Sequence, residues 1–260
     1  MNYGRTMKSL SVLSLNLRFG LADDGPNSWD FRKESVVKLF KTQGPDLIAT
    51  QEANHFQIDY LDKNLSEYSY IGRRHPAPKF WQDNILFHRK EIVCKDDLHF
   101  FLSQTPHIPS RSFGSHYPRQ ATLGLFHINK QPLICINTHF DFGTPAQMGA
   151  ARVIKQQLAL YDERIPAILM GDFNTTPESP CYQLLTEKEV DGEKGLDFSE
   201  TFKAPYPSTF HRFTGEPAGD YIDWILYRGP LRLKTHEVLQ GPVDGMYPSD
   251  HFPVTAVFDL

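Results

Sequence analysis

Short apolar runs rich in β-branched residues recur along the chain, and helical patterns often separate them. Leu10–Leu17 predicts a strand. Trp29–Gln43 predicts a helix, because Trp29, Lys33, Val36, Val37 and Phe40 fall at near-helical spacing. Asp46–Gln51 is a second short run, followed by a helix around Gln57–Leu65. Asn84–His88, Ile92–Phe101, Gln120–Ile128 and Leu133–Thr138 predict further strands. Ala146–Tyr161 predicts another helix, with Ala150, Val153, Ile154, Leu158 and Tyr161 toward one side. Pro166 is expected to end it, since proline lacks a backbone donor and biases the preceding residue away from helical angles. Ala167–Met170, Tyr221–Tyr227, Leu231–Val238 and Val254–Phe258 predict the later strands. Gly72–Asp83, Ser103–Arg119 and Asp191–Pro217 read as loops, none with the character of a domain linker, and there is no internal repeat. Many strands with a few long helices point to a mixed α/β sandwich. Helix-separated strands also allow a doubly wound parallel sheet, and periodicity does not choose between them.

With 260 residues, 40% of them apolar, the chain can build one large core, and a single domain over residues 1–260 is expected. The formal net charge of −4 argues against a protein that coats nucleic acid by charge alone. It leaves room for an enzyme that touches a few phosphates. Cys94, Cys135 and Cys181 are widely spaced and odd in number, which suits free thiols in a reducing compartment. Met1–Lys8 holds no apolar stretch suited to a signal peptide, and no run approaches the roughly 20 apolar residues of a membrane span. The expectation is a cytoplasmic enzyme with no membrane and no obligate protein partner.

Several apolar runs end in polar residues suited to metal or phosphate chemistry. They are Leu15-Asn16-Leu17-Arg18, Thr50-Gln51-Glu52, Asn137-Thr138-His139 and Met170-Gly171-Asp172-Phe173-Asn174. Strand ends are where a rigid sheet can hold several side chains in one cleft. Asp223 and the triplet Ser249-Asp250-His251 add to the set. Asn16, Glu52 and Asp250 offer hard oxygen atoms that suit Mg²⁺, with Mn²⁺ able to substitute, better than Zn²⁺. Each residue also has a plainer reading. Asn16 alone is a strand-end or turn residue, Glu52 a solvated strand end, and Asp172 with Asn174 an Asx-type turn. His139 could be a satisfied histidine and Asp223 a buried strut. His75, His99, His107 and His116 read as loop or surface residues.

Asn16, Gln51-Glu52, Asn137-Thr138-His139, Gly171-Asp172-Phe173-Asn174, Ile222-Asp223 and Ser249-Asp250-His251 together resemble the endonuclease/exonuclease/phosphatase superfamily, in that family's order. Phe101–Pro106 and Pro118–Thr122 also resemble blocks of its small bacterial members. The resemblance implies an α/β fold of four layers, αββα, with two packed mixed β-sheets flanked by helices. It implies that Asn16 and Glu52 hold the metal, with Asp250 near it. Asp172 would orient or deprotonate the attacking water, and Asn174 would position that water or the phosphate. His251, polarised by Asp223, and His139 would contact phosphoryl oxygens. Whether Asp172 or His251 is the base stays open.

Arg119, Asp141 and Asn84 are candidate substrate contacts. The loops carrying Arg73, Arg74, Lys79, Phe80 and Trp81, and Arg111, His116 and Arg119, mix cationic and aromatic side chains that can bind phosphate and stack on a base. Their plainer reading is a solvated rim. Thr175 after the Gly-Asp-Phe-Asn block departs from inositol polyphosphate 5-phosphatases, and Tyr221 stands where many relatives have Arg. The function implied is Mg²⁺-dependent hydrolysis of a phosphodiester, in nucleic acid, a nucleotide or a related small ester. A phosphomonoesterase and a non-catalytic phosphate-binding module are the alternatives.

Overall fold

The computed structural model describes residues 7–260, so most of the Met1–Lys8 segment, with its leader reading, lies outside the described residues. In chain order the first strands are β1 (Ser9–Asn16), β2 (Leu47–Ala53), β3 (Tyr68–Ile71), β4 (Asp83–Arg89), β5 (Val93–Phe101), β6 (Gln120–Ile128) and β7 (Gln131–His139). There follow β8 (Ala167–Asp172), the two-residue strands β9 (Glu189–Val190), β10 (Glu193–Lys194) and β11 (Ser199–Glu200), then β12 (Asp223–Arg228), β13 (Arg232–Val238) and β14 (Val254–Asp259). The helices are α1 (Trp29–Gln43), α2 (His55–Asn64), α3 (Thr144–Leu158) and α4 (Pro180–Thr186).

One six-stranded sheet runs β13-β14-β1-β2-β4-β3 and the other β11-β12-β8-β7-β6-β5. Each has a single parallel pair at its centre, β1 with β2 and β7 with β8, and every other neighbour is antiparallel. A parallel pair needs a crossover connection, and α1 and α3 supply the two. A doubly wound parallel sheet, the other reading the periodicity allowed, is thereby excluded.

Alternation of side chains places every central strand between two apolar layers. In β1, Leu10 and Val12 join the core between the sheets, with Ala49, Met170 and Ile225. Leu13 and Leu15 point the other way, into a second core with Val36 and Phe40 of α1 and Ile58 of α2. A third core joins Ile136 and Leu169 to Val153 and Ile154 of α3 and Leu184 of α4. The result is the four-layer αββα sandwich that the family resemblance implies. Among the described residues, no helix is long and apolar enough to cross a membrane.

Some elements differ from expectation. α3 stops at Leu158, and the next turn carries Leu160 at 71% exposure, so Pro166 follows the helix rather than ending it. β3 and α4 escape the pattern because four and seven residues are too few to establish a period. The α4 start was nonetheless written locally. Ser179 accepts the Tyr182 N–H and Pro180 occupies the first turn.

At one end of the sandwich, the strand faces that carry the inter-sheet core turn polar. Along β1 the positions Leu10 and Val12 give way to Ser14 and Asn16, and along β2 Leu47 and Ala49 give way to Gln51. Along β7 Cys135 is followed by Asn137 and His139, along β8 Met170 by Asp172, and antiparallel β12 begins at Asp223. All of these polar side chains are buried.

Candidate active site

The register sets the site. Asn16 lies opposite Gln51 at the end of one parallel pair, and His139 opposite Asp172 at the end of the other. Asp223 lies opposite Asp172 on its other side. The two sheets are then stitched together by polar side chains. Asn16 Nδ2 donates to Asp172 Oδ2 at 2.9 Å and to Glu52 Oε1 at 3.1 Å. Behind it, Gln51 Nε2 donates to Asn137 Oδ1 at 2.7 Å, and Asn137 Nδ2 reaches the Thr50 and Ile85 carbonyls. Buried amides persist only when bonded in this way. Gln51 and Asn137 therefore hold the spacing of the sheets where the functional groups converge.

Local backbone geometry aims those groups. The register of β2 slips between Thr50 and Ala53, and Glu52 adopts φ +59°, uncommon for a residue with a side chain. Its Oε2 accepts the Phe19 N–H at 2.6 Å. At Gly171, φ +150°, an added Cβ would lie 1.9 Å from the Thr138 carbonyl oxygen, so only glycine permits β7 and β8 to close together there. Past it, Asp172 Oδ1 accepts the Asn174 N–H at 2.8 Å, and Asn174 sits at φ +50°. The Asx-type turn is thus real and coexists with the polar cluster. Phe173 anchors that turn by stacking on Trp224 at 4.3 Å.

Burial and charge shift the titrations. His251 Nδ1 lies 2.8 Å from Asp223 Oδ2, and its Nε2 lies 3.9 Å from Asp172 Oδ2. Burial disfavours the imidazolium, but Asp223 and then Asp172 outweigh it, so His251 is raised above the ordinary histidine range. Asp172 is also raised, by burial and then by the Asp223 charge, with His251 opposing. His139 moves the other way, lowered well below its usual range by burial and by the Arg119 charge.

Of the expected metal set, the fold brings Asn16 and Glu52 into contact, while Asp250 Oδ2 faces Arg18 Nε at 3.8 Å. Arg18 is itself held by Asp24 at 2.9 Å and raised by that bond. The acidic and imidazole groups close enough to share one ion are instead Asp172, Asp223 and His251, within 4.8 Å of one another. There His251 Nδ1 is already bonded to Asp223 at 2.8 Å, so an ion would compete with that pair. At Asn16 two carboxylates, Glu52 and Asp172, converge on the amide nitrogen while Oδ1 accepts the Arg18 N–H at 2.8 Å, so the oxygen donors gathered there for an ion are the carboxylates.

A cleft of about 580 Å³ opens beside His139 and Glu52, lined among others by Arg18, Trp81, Asn84, Tyr117 and Arg119. Asn84 and Arg119 therefore line it as expected, and Arg119 Nη1 lies 2.9 Å from His139 Nδ1. Asp141 does not. Its oxygens accept the backbone N–H groups of His116, Tyr117 (2.9 Å) and Phe142 (2.9 Å), which anchors the Ser103–Arg119 loop, and Oδ1 lies 3.8 Å from Arg119 Nε. Sequence reasoning gave no role to Arg32. It is fully buried and donates to the Arg18 and Pro248 carbonyls at 3.1 and 2.8 Å, tying the chain after β1 to the chain before His251. A lone arginine in an amphipathic helix carries no signal of such burial.

A sequence model of the Endonuclease/Exonuclease/phosphatase family matches residues 13–251. An uncharacterized protein of Acanthamoeba polyphaga mimivirus is 24% identical over 273 residues, covering 96% of this chain and 100% of that protein. Among solved structures, the endonuclease/exonuclease/phosphatase from Bacteroides vulgatus superposes with a TM-score of 0.88 at 26% identity, covering 98% of this chain and 100% of that one. A mannosyl-6-phosphatase of Bacteroides thetaiotaomicron superposes with a TM-score of 0.85 at 24% identity, covering 96% of this chain and 100% of that one, a likeness of fold.

Proposed function

The chain belongs to the endonuclease/exonuclease/phosphatase family, and from that premise we propose that it hydrolyses a phosphodiester by metal-assisted attack of water. The observation that carries this reading is the line Asp223–His251–Asp172, with His251 bonded to Asp223 at 2.8 Å and facing Asp172. Phosphoryl transfer asks the protein mainly for positioning and charge stabilisation.

His251 is raised and therefore cationic near neutral pH, which makes it a poor proton acceptor and a good partner for a phosphoryl oxygen. Asp172 is raised by burial, which makes its carboxylate the better base for the water. That favours Asp172 for the role left open between them. Asn16 holds Asp172 Oδ2 in place, and Asn174 Nδ2, near His139 Nε2, stands where it can orient the phosphate. Glu52 and Asn16 would hold Mg²⁺ or Mn²⁺, which when bound supplies positive charge to a phosphate oxygen. Arg119 and Asn84 line the substrate side. A phosphomonoesterase is the second reading, favoured by the fold shared with a sugar phosphatase. We place the protein in the cytoplasm, on the strength of its three free cysteines.

The test is hydrolysis of bis-p-nitrophenyl phosphate and p-nitrophenyl phosphate with Mg²⁺, with Mn²⁺ and with EDTA, beside Asp172→Asn and His251→Ala. Metal-dependent release lost in both variants is expected, with the diester preferred. Preference for the monoester would select the second reading. Release that survives EDTA, or either variant, would overturn the mechanism.

A further inference from the structure

The cleft next to His139 has a chemistry that the phosphate site does not require. Phe80, Tyr117 and Phe142 line it while remaining 64%, 55% and 52% exposed. Three large aromatic side chains left in water around one concavity form a patch of the kind that marks a binding surface.

Their loops are anchored. Next to Phe80, Trp81 donates its indole N–H to buried Asp83 at 2.8 Å, and the Arg74 guanidinium stacks on its ring at 4.4 Å. Asp141 holds the backbone of Tyr117 and Phe142, as above. Anchored aromatic faces lose little freedom on binding a ligand.

Some polar side chains of the cleft already bond within the protein. Asn84 Nδ2 donates to the Gln120 carbonyl at 2.6 Å, Gln120 Nε2 donates to the Gln82 carbonyl, and Arg119 faces His139. A sugar needs a hydrogen-bond partner for each hydroxyl it desolvates, whereas the exposed side chains that line this cleft are aromatic. A planar ring needs only a face to stack on.

We infer that the cleft takes a planar aromatic or heteroaromatic group, of which a nucleobase is one, carried by the phosphoester, and discriminates against polyhydroxylated sugars. The inference rests on the phosphoester reading of the adjoining site.

Phosphonates, whose C–P bond resists hydrolysis, separate binding from turnover. Calorimetry in Mg²⁺ would compare benzylphosphonate, the isosteric phosphonate of mannose 6-phosphate, and methylphosphonate on the full chain. A single stacked ring is worth about ten-fold in affinity. Benzylphosphonate should therefore bind about ten-fold more tightly than either competitor. Phe80→Ala and Phe142→Ala, both at exposed positions, should each reduce that ratio to about two-fold or less with the thermal midpoint retained. A sugar analogue that binds as tightly, a ratio that survives both variants, or no binding of any probe would each overturn the inference. Turnover of bis-p-nitrophenyl phosphate by the same wild-type protein keeps the two readings apart. Turnover with a ratio near one sinks only the ring preference, and an intact ratio without turnover sinks only the hydrolase.

Discussion

Nη1 of Arg119 lies 2.9 Å from Nδ1 of His139. A guanidinium only donates, so Nδ1 must accept, and the proton of the neutral imidazole resides on Nε2. That proton faces Asp172 Oδ2 at 3.4 Å, and Asn174 Nδ2, 2.9 Å from the same nitrogen, then turns its hydrogens to the Phe140 carbonyl at 3.0 Å. Long-range ¹H–¹⁵N correlation of the ring should find Nδ1 bare and Nε2 protonated at neutral pH. Arg119→Met should raise the His139 titration, because the Arg119 charge is one of the forces lowering it. The same variant should raise KM for a phosphodiester. A protonated Nδ1 in the wild type would refute the tautomer.

The Asp223–His251 bond sets the expected pH profile. Rate should rise as Asp172 deprotonates, above the usual carboxylate range, and fall only when His251 loses its proton, above the usual histidine range. Asp223→Asn removes the charge that sustains the imidazolium while keeping a side-chain oxygen. The alkaline limb should then move to lower pH, with kcat down by about 10²-fold or more. An alkaline limb that stays in place would separate His251 from that limb.

Glu52→Gln keeps the shape of the side chain and its carbonyl for the Phe19 N–H, but halves the charge converging on Asn16. Calorimetry should show Mg²⁺ and Mn²⁺ affinity reduced by about ten-fold or more, with activity partly recovered at high metal concentration. Undiminished metal affinity would move the ion away from Glu52.

Asp83 links stability to pH. It is fully buried and raised to about 7, by burial first, with the Trp81 N–H opposing. A carboxyl whose folded pKa lies above its unfolded value of about 3.9 binds more protons when folded. Its contribution to stability is therefore full below about pH 4 and lost as pH rises toward about 7. Asp83→Asn preserves an acceptor for Trp81 and removes the ionisation. Its stability relative to wild type, read from thermal melts, should climb between pH 4.5 and pH 8, by on the order of a few kcal/mol in the limit. A flat difference across that range would show that His55, 3.3 Å from Asp83 Oδ2, neutralises the charge.

Much of the candidate site was legible because the apolar runs that feed it give way to polar residues at one end. Asn16, Glu52, His139 and Asp172 could be named from the junction of an apolar run with a polar one. Asp141 shows the limit of that logic. The family resemblance made it a candidate substrate contact, and only the fold shows that its oxygens accept backbone N–H groups of residues 116, 117 and 142. No pattern along the chain records which donors will surround a carboxylate. Arg32 and Asn137 went without a role for the same reason, since their partners lie 216 and 87 residues away.

By itself the sequence determined the positions of the longer strands and helices, through periods of two and near 3.6, and the residue types at the strand ends, through local order. The tertiary structure alone decided that those ends meet. Asn16 and Asp172 stand 156 positions apart and touch because α1 and α3 each return the chain to close a parallel pair, and the two sheets then pack inner face to inner face. Burial at that junction raises Asp172 and lowers His139, while the Asp223 and Asp172 charges raise His251 against it. A shift of this kind belongs to the surroundings of a group, and those surroundings exist only once distant segments have come together.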